Sequence, residues 1–234
     1  MNSVEQTIAE RLATIRSRVH EACQRSGRDP EEVHLLGISK RQPLEKIRAA
    51  IDAGLRTLGE NQIQEAVAKS AELPVGIEWH FVGHLQSNKA KAAARLFDFV
   101  HSVDRPKIAR RLDAEAKRLG RRIQGFAQVN LGAEVTKKGY AVEGLVEALK
   151  PLAELEHLRL VGLMAIPRYE QDLESARRWF RELRELRDQV AAQHEWHDFP
   201  GLLSMGMSHD FEIAIEEGAT HIRVGTSIFG QRSS

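Results

Sequence analysis

The sequence predicts an α/β fold built as a single (β/α)8 barrel, and three observations predict it. Eight short β-type runs alternate with helical stretches, successive runs are separated by enough chain for a helical crossover, and an extra amphipathic helix precedes the first run. Parallel neighbours cannot be joined by a tight turn, so the alternation itself implies a parallel sheet. A doubly wound sheet is the competing arrangement. The barrel is favoured because the chain ends at Ser234, a few residues past the eighth run, where the N-terminal helix could cover the gap between the last strand and the first.

Taken in order, Ser3 and Gln6 have the spacing of a capping box, and Val4, Ile8, Leu12, Ile15, Val19 and Cys23 then recur every three or four residues. That periodicity predicts a helix within 1–27, stopped by Gly27 and Pro30, with Cys23 packed on its apolar stripe. Strand runs follow at 33–39, 56–59, 77–82, 97–103, 122–130, 158–166, 201–205 and 221–225, and the longest intervening helix is expected at 173–193. No Pro/Gly/Ser linker or shift in composition interrupts 1–234, so one domain is expected.

Composition limits the function classes. Hydrophobic residues make up 42% and charged residues 29%, the profile of a soluble globular protein. Lys and Arg total 34 against 33 Asp and Glu, so no overall field favours nucleic acid or an anionic membrane, and any anion site must be local. The densest basic group, Lys117, Arg118, Arg121 and Arg122, lies among helix-forming residues and reads as a solvated helix end. One cysteine excludes an intramolecular disulfide and a cysteine-based metal site, and fits a reducing compartment. The N-terminus lacks a signal-like core and no apolar run reaches the ~18 residues needed to span a bilayer, so a cytoplasmic protein is expected. His101 has no partner at ligand spacing, and no metal is expected.

In barrels of this kind chemistry sits where strands end and the following loops begin. The first run ends in Ile38, Ser39 and Lys40, and a period of two puts Lys40 on the face of Ile38 and Leu36. If that face is inward, an amine stands at the mouth of an apolar barrel, where desolvation favours its neutral, nucleophilic form; otherwise Lys40 is a solvated strand-end lysine. Arg223 lies between Ile222 and Val224, opposite in direction to both. Buried there it needs an acceptor, either a structural carboxylate or a phosphate held by Gly225 and Thr226 beside it. Ser204 and Ser208 end the seventh run and could bring hydroxyls to the same anion, with Ser208 also placed to cap the next helix. Asn61 could cap a helix or meet a ligand. Of the polar residues near the third run, His80 reads as site lining and His84 and Lys89 as a loop network.

Several strings carry a resemblance: Gly-Ile-Ser-Lys at 37–40, Leu-Gly-Glu-Asn at 58–61, His-Phe-Val-Gly-His-Leu-Gln-Ser-Asn-Lys at 80–89, Leu-Ser-Met-Gly-Met-Ser at 203–208 and Arg-Val-Gly-Thr-Ser-Ile-Phe-Gly at 223–230. In this order, from about 33 to 232, they resemble the pyridoxal phosphate homeostasis proteins of the YggS or PROSC type. The resemblance implies a fold-type III pyridoxal 5′-phosphate barrel like the N-terminal domain of alanine racemase. It further implies Lys40 as the lysine of an internal aldimine and Arg223 as the residue facing the pyridine nitrogen. Ser204, Ser208, Gly225 and Thr226 fall in its phosphate-binding region, and Asn61 and His80 near the cofactor. The loop at 130–139, with Glu134 and Lys137, matches a segment whose lysine can act as a second amine.

An arginine opposite the pyridine nitrogen cannot accept a proton, so that nitrogen stays unprotonated and the cofactor is a weaker electron sink. Racemisation would then need a second acid/base on the opposite face, and the two tyrosines, Tyr140 and Tyr169, lie in loops that could face the mouth. The expected function is therefore intracellular carriage and homeostasis of pyridoxal 5′-phosphate without conventional catalysis. The alternatives are a pyridoxal-phosphate-dependent amino-acid racemase or related enzyme, and a Schiff-base barrel of the aldolase kind. Expected partners are the cofactor and pyridoxal-phosphate-dependent apoenzymes, with neither nucleic acid nor membrane, and a monomer is expected.

Overall fold

The computed structural model describes residues 3–134, 137–168 and 170–231. Among them eight parallel strands close in sequence order, β1 pairing with both β2 and β8. They are β1 (His34–Ile38), β2 (Thr57–Glu60), β3 (Glu78–Phe81), β4 (Phe99–Val103), β5 (Ile123–Gln128), β6 (Leu158–Met164), β7 (Leu202–Met207) and β8 (His221–Val224). Each expected run is present, displaced by no more than two residues at either end.

The first helix, α1 (Ser3–Ser26), buries Ile8, Leu12, Ile15, Val19, Ala22 and Cys23 along one stripe, as its periodicity requires. It packs against α2 (Leu44–Asp52) and α8 (Phe211–Glu216), and so covers the seam where β8 meets β1. The capping box does not form: Ser3 lies inside the helix and the Gln6 amide donates to Glu10. The outer layer continues with α3 (Ile63–Glu72), α4 (Ala90–Leu96), α5 (Pro106–Arg118), α6 (Leu145–Leu149) and α7 (Leu173–Ala191), and closes with α9 (Thr226–Phe229) after β8. The basic group at 117–122 is a helix end, where Arg121 donates to the carbonyls of Ala94 and Arg95 and pairs with Asp98. No helix of the described residues is long and apolar enough to cross a membrane.

Most of the apolar core lies between strands and helices, and includes Leu58, Val100, Leu203, Ile222 and Val224. The inside of the barrel differs. Barrels of this kind are usually filled by branched aliphatic side chains, but here rings from β3, β4, β5 and β8 meet across the centre. His80 stacks on Phe99 at 4.4 Å, His101 on Phe126 at 4.4 Å, and Phe126 meets His221 edge-on at 5.0 Å. Ser204 and Arg223 are also buried there. Period-two alternation explains the split, because residues flanking an inward side chain must point to the helices.

Burial pushes the imidazoles of His80, His101 and His221 below their ordinary range, and neighbouring cationic groups push His101 and His221 further. The unfolded chain therefore binds protons that the folded chain refuses once the pH drops below the ordinary value of 6.5. Each such histidine removes about 1.4 kcal/mol of stability per pH unit in that window. Urea unfolding midpoints should be level above pH 6.5 and fall steeply below it; a profile level down to about pH 5 would mean that these rings take up protons in the fold.

Candidate active site

The C-terminal ends of β1, β2, β3, β7 and β8 surround a cavity of about 360 Å³. Its polar lining is Lys40, Asn61, Ser208, His209, Arg223 and Thr226, with Gly83 and Gly225, and Ile38, Val82, Ile166 and Met207 supply its apolar surface. An amine, a guanidinium, hydroxyls and an amide thus converge on one space of small-molecule size.

Lys40 is set by its neighbours. Ser39 points the other way, into the layer between strands and helices, where its hydroxyl donates to Glu60 at 2.7 Å. Lys69 of α3 reaches the same place and donates to the Ser39 carbonyl at 2.6 Å, to Glu60 at 2.6 Å and to Glu65 at 2.7 Å. Glu65 in turn accepts the Arg41 N–H at 2.5 Å. Arg41 has φ of 56°, a left-handed conformation that costs a non-glycine residue about 1 to 3 kcal/mol. The buried Lys69–Glu60–Glu65 cluster therefore grips the backbone on both sides of Lys40 and holds a strained turn that aims its side chain over the mouth. Burial raises the Glu60 carboxyl, and the bonds from Lys69 and Ser39 oppose that rise.

On the opposite wall Arg223 donates to Ser204 Oγ at 2.7 Å and to the Ala165 carbonyl at 2.9 Å. Burial lowers its pKa to about 10, so it remains cationic at neutral pH. Asp210 lies close enough to act on it electrostatically, but the Asp210 carboxylate is bonded to the Met207 N–H at 2.7 Å. Ser208 does not cap α8, which begins after Asp210; its oxygen accepts the Gly225 N–H at 3.2 Å and joins the ends of β7 and β8. Asn61 does not cap α3 either, because that position belongs to Gln62. Its backbone crosses Gly83 so closely that an added Cβ there would lie 2.2 Å from the Asn61 carbonyl oxygen.

Six of the eight residues expected at the site thus line one cavity. Ser204 and His80 do not: both are fully buried inside the barrel beneath it, Ser204 between Arg223 and His101, and His80 between His101 and Glu78. Being inward on a strand is not the same as reaching its mouth. Tyr140 also departs from expectation. It forms a bridge with Val129 and is packed into the core, with its hydroxyl buried and lacking a hydrogen-bond partner; burial pushes its phenol upward. Tyr169 lies outside the described residues. Lys137 is tied down, donating to the Ile166 carbonyl at 3.1 Å and pairing with Glu134 at 2.7 Å. His84 pairs with Asp104 at 3.3 Å, as a loop network would. Sequence reasoning missed Glu60, Lys69 and Glu65, although a lysine three residues after Ala66 on the buried stripe of α3 was a readable signal.

The model of the alanine racemase N-terminal domain family matches residues 11–233. The chain belongs to that family. The pyridoxal phosphate homeostasis protein of Aquifex aeolicus is 43% identical over 224 residues, covering 95% of this chain and 97% of the relative. That of Pseudomonas aeruginosa is 44% identical over 227 residues, covering 97% and 96%. The structure of PipY from Synechococcus elongatus with PLP bound matches with a TM-score of 0.84 at 40% identity, covering 95% of this chain and all of that one. An alanine racemase of Clostridium difficile shares the fold, with a TM-score of 0.76 at 14% identity, over 98% of this chain and 58% of that one.

In this family member the cluster behind Lys40 contributes to stability as well as geometry. Lys69→Met would strand two carboxylates, one of them fully buried, and should cost about 3 to 5 kcal/mol in urea unfolding. Adding Glu60→Gln should recover part of that loss, and a second substitution that merely adds its own cost would show that the pair does not act as a unit.

Proposed function

We propose that this chain binds pyridoxal 5′-phosphate in the cavity at the barrel mouth and serves in the homeostasis of that cofactor as a carrier, without conventional turnover. The observation that carries the reading is the donor set of the cavity: an amine from β1 and a cationic guanidinium from β8 face one space beside two hydroxyls. Those groups fit the ligand. An aldehyde calls for a primary amine, an aromatic nitrogen for an N–H donor, and a phosphate for hydroxyls and backbone amides. The names of full-length relatives above 40% identity support the same reading.

When bound, the cofactor supplies an aldehyde carbon open to attack by an amine and a ring that withdraws electrons. Lys40 would be the amine that holds it. Arg223 would donate to the ring nitrogen, and because a guanidinium has no acceptor it would keep that nitrogen unprotonated. Ser208 and Thr226, with Gly225 and the first-turn amides of α9, would hold the phosphate; the Ser208 oxygen already accepts from Gly225 and keeps its own proton to donate. Asn61 closes the wall beside Lys40. His80 and Ser204 would act only through Arg223.

Borohydride reduction of the loaded protein followed by peptide mapping should place the pyridoxyl group on the peptide containing Lys40. Label mainly on Lys137 or Lys89 would refute the assignment. The carrier reading rests on the second base that racemisation requires. Tyr140, packed with its hydroxyl buried and its phenol pushed up, is unsuited to that role. With L-alanine in deuterated water, Cα exchange should be no faster than with free pyridoxal 5′-phosphate, while apoenzymes draw cofactor from the protein. Fast exchange would make this chain an enzyme.

A further inference from the structure

Beneath the cavity a line of hydrogen bonds crosses the barrel. Arg223 Nη1 donates to Ser204 Oγ at 2.7 Å, Ser204 Oγ meets His101 Nδ1 at 2.7 Å, His101 Nε2 meets His80 Nδ1 at 2.8 Å, and His80 Nε2 meets Glu78 Oε1 at 2.8 Å. Ser204, His101 and His80 are fully buried. Glu78 is the first residue of β3, so its half-exposed carboxylate stands at the end of the barrel opposite Lys40. The line joins a buried cation at one end to a solvated anion at the other.

Its ends dictate its direction. Arginine only donates and an ionised carboxylate only accepts, whereas a neutral imidazole has one donor and one acceptor nitrogen. Glu78 therefore requires the proton of His80 on Nε2, which makes His80 Nδ1 an acceptor. That puts the proton of His101 on Nε2 and makes its Nδ1 an acceptor for the Ser204 hydroxyl. The Ser204 oxygen is then left to accept from Arg223, as it must. The carboxylate end thus fixes one arrangement with both rings neutral, and the arginine end is compatible with it, every bond pointing from guanidinium to carboxylate. A positive charge on either ring would break it; burial disfavours that charge on both, against the pull of Glu78 on His80, and the neighbouring cationic groups disfavour it further on His101.

We infer that His101 and His80 are positioning residues for Arg223, which through Ser204 hold the guanidinium as an oriented donor toward the cavity. The carboxylate that acts on its charge, Asp210, is bonded to the Met207 N–H and not paired with the guanidinium, so the cavity stays open to a ligand bearing a neutral acceptor and an anionic group. Aligned bonds in a dry interior polarise one another, so the line is stronger than four separate contacts. The inference rests on the proposed function only in naming that acceptor as the ring nitrogen of pyridoxal 5′-phosphate.

Two measurements test it. Nitrogen-15 spectra of histidine in the protein without cofactor should show His80 and His101 as neutral Nε2–H tautomers throughout the range of about pH 6 to 8, where a free imidazole titrates. The opposite tautomer on either ring, or titration within that range, overturns the line whatever the ligand. The second measurement is the preference for pyridoxal 5′-phosphate over its analogue with CH in place of the ring nitrogen. His101→Phe fills the volume but removes both nitrogens, and should reduce the wild-type preference about tenfold, equivalent to ~1.4 kcal/mol. His101→Asn keeps an acceptor near the Nδ1 position and should retain most of it. If His101→Phe does not fold, Ser204→Ala breaks the first link and should give the same reduction. Full preference in these variants overturns the positioning role. A wild-type protein that binds neither compound overturns the proposed function instead, and the tautomers still decide the line.

Discussion

A guanidinium enclosed in a barrel is the constraint on which the interior depends. Without acceptors Arg223 would be prohibitively costly to bury, and no strand places a carboxylate against it within ion-pair distance among the described residues. Its acceptors are the Ser204 hydroxyl and the Ala165 carbonyl, and polar rings stand behind Ser204 where aliphatic side chains usually fill a barrel. Histidine suits the task because its face packs like an aromatic ring, as His80 does on Phe99 and His101 on Phe126, while its edge carries one donor and one acceptor. The same side chains that fill the barrel therefore also carry hydrogen bonds through it.

A second polar system lies on the other side of the strands. Ser39, Glu60, Lys69 and Glu65 form a buried cluster between the barrel and α3, and share no residue with the line through the centre. One system fixes the turn that carries Lys40, and the other fixes Arg223. The cavity lies between an amine and a guanidinium whose positions are each fixed from behind, and the rest of its wall offers hydroxyls, an amide, the His209 imidazole and apolar surface. A preformed cavity of this kind loses little conformational entropy when a ligand enters.

The fold was legible to within two residues at every strand end, since the alternation of β-type and helical runs is a local property of the chain. The convergence of Lys40, Arg223, Ser208, Gly225 and Thr226 on one cavity was legible for a related reason: in a parallel barrel all strands end on the same face, so residues at strand ends meet wherever they lie in sequence. Depth was not legible. Ser204 sits four residues before Ser208, and its inward direction was readable, but its place below the mouth depends on how strands are staggered around the barrel. Tyr140 was misplaced because its surroundings suggested an open loop, whereas pairing with Val129 draws it into the core.

By itself, the sequence determined the order of elements, the face on which each strand residue points, the convergence of an amine and a guanidinium at one end, and the likeness to a family. Only the tertiary structure decided which buried groups touch. Ser204 and His101 are 103 residues apart, and Lys69 reaches the Ser39 carbonyl across 30. Periodicity assigns a side chain to a face but not to a partner, because partners across a closed barrel come from strands such as β4 and β7 that are not neighbours in the sheet and meet only across its interior. Hydrogen bonding in a dry interior is short-ranged and directional, so the tautomers of His80 and His101 depend on distances that no local pattern in the chain encodes.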